Sequence, residues 1–403
     1  LQRIASDIEL RANEPIEQRA EMNARPLRIT FLAVMPAPYM MDLFDAINRD
    51  PRFRLKVHFL EKPAVAAPGV YWREKQLPSY TSVLPGGWVY LFRARVHLNT
   101  GLFEALTRDE PDIVVVMGYS SVTYQIAMYG MWAKRIPWVF WGEVPGFEQR
   151  GIFGGTLRWL AMRPVAWLAA GIAAIGSRAA AAYDRLTKNS RLVHDIPYYC
   201  RNDRLLQIVR PGGDDAPHFL FCGQLVPRKG VDLLVQSFCM LAMDHDNVRL
   251  TLVGDGPLRE TLAASIPDAI RPRVTWAGFK EADELPAYFA QANVFVLPSI
   301  HDGWGVVINQ AVSAGMAVIA SDTVGAAADL VTDQLNGRIF PTRDGAALTT
   351  AMRFFVDHPE RIGEFGAASR ARALALRPEV GADQWYRFCQ QVLQARSPSR
   401  PRK

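Results

Sequence analysis

The sequence predicts two α/β domains, each built on a mostly parallel sheet, and three observations carry the prediction. Short, nearly continuous apolar runs alternate with helix-length amphipathic segments over most of the 403 residues. Strands covered by helices on both faces have this character, because neither face meets water. The alternation comes in two series, divided by the turn-rich stretch RPGGDDAPH at 210–218. The length also exceeds what one hydrophobic core supports, so two Rossmann-like units are expected.

Taken in order, residues 1–25 are charged and lack the apolar core of a secretory signal, and are expected to be a mobile leader. The first domain, 26–205, carries strand patterns at 28–35, 53–60, 112–118, 137–142 and 171–176. The longest apolar run, Pro164 to Gly176, has 13 residues. That is too short to cross a bilayer core of ~30 Å, so it is expected to be a helix end followed by a buried strand. Residues 61–98 break the rhythm, being rich in Pro, Gly, aromatics and arginine. An acceptor- or membrane-contacting excursion is one reading of them; a loop packed by its own aromatics is the favoured one. The second domain, 206–380, repeats the rhythm at 218–223, 248–254, 273–278, 293–299 and 316–321. A last helix, 381–396, gathers Trp385, Phe388 and Cys389 on one face and is expected to pack back on the first domain.

Charge divides the halves. Residues 1–205 hold 26 Lys and Arg against 19 Asp and Glu, and the remainder is nearly balanced. A basic first half suits an anionic partner such as a phosphorylated lipid or a membrane surface, or else is simply an arginine-rich solvated surface. Trp159, Trp167, Arg150, Arg158 and Arg163 are candidates for docking on anionic lipid, although Trp167 is expected in the core. No nucleic-acid recognition signature is present, so no nucleic-acid partner is expected. The four scattered cysteines have no C-x-x-C pair and suit a cytoplasmic chain. No histidine spacing points to a metal. The one D-x-D stretch, Asp244 to Asp246, precedes a strand and is expected to be a solvated turn.

In open α/β sheets ligands sit at the carboxyl ends of strands, which selects three loops. GQLVPRKG (223–230) ends a strand and opens a helix, bringing Arg228, Lys229 and helix-terminal N–H groups to one place suited to a diphosphate. GDGP (254–257) is a tight turn, without the third glycine of a dinucleotide fingerprint. PSIHDGWGVVINQ (298–310) follows another strand, and its glycines allow backbone amides to approach an anion closely.

Taken together, GQLVPRKG, LVGDGP, WAGF and LPSIHDGWGVVINQAVSAG resemble the second domain of retaining glycosyltransferases of the GT-B fold, family GT4. The likeness covers about 217–340 and extends more loosely through PAPY, MGYSS and IGSRAAAAY. It implies two Rossmann-like domains facing each other across a deep cleft, with a nucleotide-sugar donor on the second and a glycan or lipid-linked acceptor on the first. It implies donor contacts from Gln224, Arg228, Gly254, Gly256, Phe279, Gly303, Trp304, Gly305, Val306 and Gln310. Lys229 matches the lysine that neutralises the donor diphosphate, and Asp302 the first acid of the E-x7-E motif, which contacts the donor sugar. The shorter Asp302 needs Trp304 and its loop to bring the sugar closer, or reads a different hydroxyl. Glu143 is the candidate for orienting an acceptor hydroxyl, with Tyr39 and Tyr119 lining the cleft.

Two positions depart from the family. Gln224 stands where an arginine is usual, and Gln310 where the second acid accepts from ribose. An amide oxygen still accepts, but a hydrogen bond to a charged group is worth about 1.5–3 kcal/mol against about 0.5–1.5 for a neutral one, roughly tenfold in affinity. The expected activity is retaining, metal-independent hexosyl transfer in surface-glycan synthesis, by a cytoplasmic protein peripheral to the membrane. The alternatives are a non-catalytic scaffold on the same fold and a sugar-nucleotide epimerase.

Overall fold

The computed structural model describes residues 25–62, 76–91, 94–145, 152–210 and 216–396. Most of the expected leader, Arg150, and most of the 210–218 turn lie outside the described residues.

Along the chain, β1 (Leu27–Ala33), β2 (Phe53–Phe59) and β3 (Thr81–Val83) are followed by β4 (Gly86–Leu91) and β5 (Ala94–Asn99). Then come β6 (Ile113–Val116), β7 (Trp138–Gly142), β8 (Gly171–Ala174) and β9 (Val193–Asp195). Seven of these form one sheet in the order β3-β2-β1-β6-β7-β8-β9, and every pair in it is parallel. The run IVVV of β6 is buried at all four positions, as a central strand covered on both faces must be. The second domain supplies β10 (His218–Cys222), β11 (Arg249–Val253), β12 (Val274–Gly278), β13 (Val294–Leu297), β14 (Ala317–Ser321) and β15 (Gly337–Phe340). They lie in the order β12-β11-β10-β13-β14-β15, again all parallel.

The strand order reverses between β1 and β6 in the first sheet, and between β10 and β13 in the second. Connections from adjacent strands diverge at such a point, leaving a crevice at the strands' carboxyl ends. The loops after β10 and β13 therefore face each other by topology.

Strands β3, β9 and β15 escape the sequence reading because they are sheet edges, only partly buried, and carry no continuous apolar run. The reading of 61–98 is corrected. Its described part holds the parallel edge strand β3 and the antiparallel hairpin β4–β5, with Trp88, Val89 and Leu98 exposed, and not a loop closed on its aromatics. Buried polar contacts hold the hairpin. The Asn99 side-chain amide donates to the Leu60 carbonyl at 2.8 Å, Asn99 N–H donates to Thr123 Oγ1 at 2.9 Å, and His97 Nε2 lies 3.1 Å from Glu61.

Trp167 is corrected too, being 55% exposed rather than in the core. Helix Ile152–Leu168 buries Met162 and Val165, which leaves Trp159, Arg163 and Trp167, spaced by four, on another face. The Arg163 guanidinium lies 5.0 Å from the Trp159 ring and 4.1 Å from the Trp167 ring. Asp244 and Asp246 of the D-x-D stretch pair with Arg353 and Arg273, at 3.4 and 3.6 Å.

Helix Pro378–Arg396 leaves the second domain and packs on the first. Trp385 is fully buried, its ring 5.1 Å from Phe31 and 5.3 Å from Trp141. The Tyr199 hydroxyl donates to Gln384 at 2.6 Å, and the Arg52 guanidinium sits 4.5 Å over Tyr386. Trp385 Nε1 has no hydrogen-bond partner among the described residues, so the indole acts there by packing alone. Trp385→Ala is expected to cost about 3–5 kcal/mol of stability in urea denaturation. Trp385→Phe should cost clearly less, and equal losses would show that the site does not work by packing.

Candidate active site

The loops at the carboxyl ends of the second sheet are laced together by main-chain hydrogen bonds. Gly223 N–H donates to the Val253 carbonyl, Leu225 N–H to Asp255 (both 2.9 Å), and Gly254 N–H to Gly278 at 2.8 Å. Gly254 has φ +127°, and a Cβ there would collide with the Gly223 carbonyl, so the close approach of β10 and β11 requires glycine. Gly256 lies in the same turn, and Phe279, half-buried, follows β12.

After β10, Pro227–Lys229 form a 3-10 turn, and Gly230, at φ +63°, opens helix Val231–Asp244. A Cβ on Gly230 would overlap the Pro298 carbonyl, which belongs to the loop after β13. Ile300 N–H completes the junction by donating to the Arg228 carbonyl at 2.8 Å. The two loops meet here, and Lys229 Nζ pairs with Asp302 Oδ2, both side chains only 11% and 13% exposed. Ser299 Oγ lies 3.4 Å from the same carboxylate oxygen. Arg228 is exposed, 3.5 Å from Gln224 Oε1. The structure thus places Gln224, Arg228, Lys229 and Asp302 together at the switch point.

The rest of the 298–310 stretch divides by direction. Gly303 lines a cavity, Gly305 turns the chain at φ +87°, and half-buried Val306 and Gln310 flank the start of helix Val307–Ser313. Trp304, expected as a donor contact, has a side chain that is only 1% exposed. Its indole N–H donates to Asn309 Oδ1 at 2.9 Å, and the ring fills the space a Cβ on Gly176 of the first domain would need. Trp304 therefore braces the loop against the first domain.

Glu143 follows β7 and faces this group. Burial, and next the Asp302 charge, push its carboxyl up to about 7, while a Tyr198 hydrogen bond and the charges of Lys229 and Arg228 oppose the shift. Tyr39 packs edge-on against Tyr198 at 4.8 Å, and the Tyr198 hydroxyl is in hydrogen-bonding contact with both Tyr39 and Glu143. Burial, with Glu143 second, raises the Tyr39 hydroxyl well above its ordinary value. Tyr119 packs on Phe140 at 6.3 Å, and Phe140 meets Tyr183, whose hydroxyl donates to the Glu143 carbonyl at 2.7 Å.

Sequence reasoning misses Tyr198 and Asn309. Asn309, fully buried, accepts from Trp304 and donates through Nδ2 to the Tyr198 carbonyl at 2.9 Å. Tyr198 thus joins the loop after β13 to Glu143, through its carbonyl on one side and its side chain on the other. The available signal is a polar residue on the buried face of helix Val307–Ser313, beside Gln310.

Residues 216–358 match the family model described as glycosyl transferases group 1. Over 173 residues the chain is 33% identical to the GDP-mannose-dependent alpha-(1-6)-phosphatidylinositol monomannoside mannosyltransferase of Mycolicibacterium smegmatis. That match covers 41% of this chain and 45% of the relative, so the chain spans less than half the length of the curated relative it matches. In fold it is similar to sucrose-phosphate synthase from Thermosynechococcus elongatus, with TM-score 0.68, 18% identity and coverage of 92% of this chain and 100% of that one. It is likewise similar to Anabaena HepE in complex with UDP, with TM-score 0.67, 16% identity and coverage of 91% and 100%. Over residues 216–358 the second domain thus resembles the group 1 glycosyl transferases, and the two parallel sheets have the GT-B fold.

Proposed function

We propose that the chain moves a hexosyl group from a nucleotide-sugar to a lipid-linked or polysaccharide acceptor in surface-glycan assembly, with retention and without a metal ion. The observation that carries this reading is the Lys229–Asp302 pair at the switch crevice, beside the N-terminus of helix Val231–Asp244 and facing Glu143. Negative charge grows on the diphosphate as the sugar–phosphate bond breaks, and Lys229 with the helix-terminal N–H groups is placed to stabilise it. The acceptor oxygen bonds to C1 on the face the diphosphate leaves, and its proton passes to a departing phosphate oxygen. Glu143 orients the acceptor hydroxyl. Asp302 exchanges its contact with Lys229 for hydroxyls of the donor sugar, and Gln310 accepts from the ribose.

The mannosyltransferase relative is named for GDP-mannose and the Anabaena structure holds UDP, so both nucleotides belong in the donor screen. In that screen, read by thermal shift and calorimetry, one nucleotide-sugar should bind, and Lys229→Ala should weaken it by tenfold or more. Binding that ignores Lys229→Ala would remove the diphosphate assignment. Binding with no transfer to any glycan acceptor would favour the scaffold reading, for which Gln224 and Gln310 speak.

The Glu143 carboxyl is protonated below about 7 and ionised above it. If its ionised form orients the acceptor, transfer should rise with pH through about 7. Glu143→Gln should flatten that limb of the rate–pH profile, and an unchanged profile would release Glu143 from the role.

A cytoplasmic, peripheral placement on the inner membrane face belongs to the same proposal. Among the described residues no helix is long and apolar enough to cross a membrane. Helix Ile152–Leu168 exposes Leu157, Trp159, Leu160 and Trp167 around Arg163, a combination suited to an anionic interface. In co-sedimentation, vesicles containing anionic lipid should retain the protein better than neutral ones. Replacing Trp159 and Trp167 by Ser should abolish most of that difference; retention independent of both tryptophans would place the contact elsewhere.

A further inference from the structure

The cavity between the domains has a basic wall that the donor chemistry leaves unused. Its volume is about 400 Å³. The second domain lines it with Asp302, Gly303 and Gly325, and the first with Val144, Arg178 and Arg185. Both arginines lie on helix Ser177–Thr187, seven positions apart and so on one face, with the small Ala181 between them leaving room. Arg178 is steadied across the domain boundary by donating to the Asp322 carbonyl. A guanidinium has five N–H donors, so this bond leaves most of its capacity for a ligand. Neighbouring carboxylates are engaged elsewhere: Asp302 with Lys229, Asp195 with Gly176 N–H, and Asp329 with Ser177 N–H, the last two at 2.9 Å. Val144 adjoins Glu143, so this wall lies beside the residue assigned to the acceptor hydroxyl.

We propose that Arg178 and Arg185 form an anion subsite on the acceptor side. The acceptor then carries a phosphate or carboxylate close to the hydroxyl that receives the sugar. Paired guanidinium forks match the planar or tetrahedral oxygens of such groups, a match that a neutral glycan does not offer. The assignment of an acceptor rests on the sugar-transfer reading; the anion subsite itself does not.

The test titrates the full chain with glucose 6-phosphate, glucuronate and glucose, by calorimetry, with saturating GDP or UDP present. Glucose 6-phosphate or glucuronate should bind at least tenfold more tightly than glucose, and whichever is preferred separates a phosphorylated from an acidic-sugar acceptor. Arg185→Gln, at an exposed position, should weaken the anionic probe about ten- to a hundredfold without lowering the melting temperature. Arg185→Lys should recover part of the loss, and Arg178→Gln should act in the same direction. Equal affinity for glucose and the anionic probes, or indifference to Arg185→Gln, would overturn the subsite. Displacement of the anionic probe by nucleotide would overturn it as well, by assigning the arginines to the donor diphosphate. Anion binding that survives where no nucleotide-sugar binds would sink the transferase reading and leave the subsite standing.

Discussion

The site depends on one steric permission. The turn at Pro227–Gly230 and the loop after β13 share a space that admits no side chain at position 230. Adjacent strands at the switch point bring the two loops near; the missing Cβ lets them touch, and Lys229 then finds Asp302. A residue with a Cβ would move the turn off the Pro298 carbonyl and carry the ammonium away from the carboxylate. The charge pair is thus a result of backbone geometry, and its position is fixed by strand order before any side chain is considered.

The second dependence is between domains. Trp304 donates to Asn309, Asn309 donates to the main-chain carbonyl of Tyr198, and the Tyr198 side chain reaches Glu143. Asn309 is fully buried, so losing either of its partners would leave a polar group unpaired at a cost. This linkage ties the shape of the donor loop to the placement of the carboxyl on the opposite wall. The two walls of the cleft are thereby held in register.

Much of this was legible in the sequence. The central strands of both sheets were readable because burial on two faces forces continuous apolar runs, as in IVVV of β6. Lys229, Asp302 and their glycines were readable because charge and backbone freedom gather where strands end. What stayed hidden depends on which way a side chain faces. Composition marks Trp167 and Trp304 as equally apolar, yet one lies on an exposed helical stripe and the other is a brace between domains. Tyr198, Asn309, Arg178 and Arg185 take their meaning from the opposite domain, and no local period reports a neighbour more than a hundred positions away.

The return of helix Pro378–Arg396 to the first domain has a consequence for how the protein is made. Phe31 and Trp141 are synthesised early, but the ring that covers them, Trp385, comes after the whole second sheet. At roughly 5–20 residues per second, the ribosome needs on the order of 10–40 s to travel from the end of the first domain to Trp385. Throughout that interval an aromatic surface of the first domain stands open to water, and the nascent chain must be kept from sticking to its neighbours until its own late helix closes it.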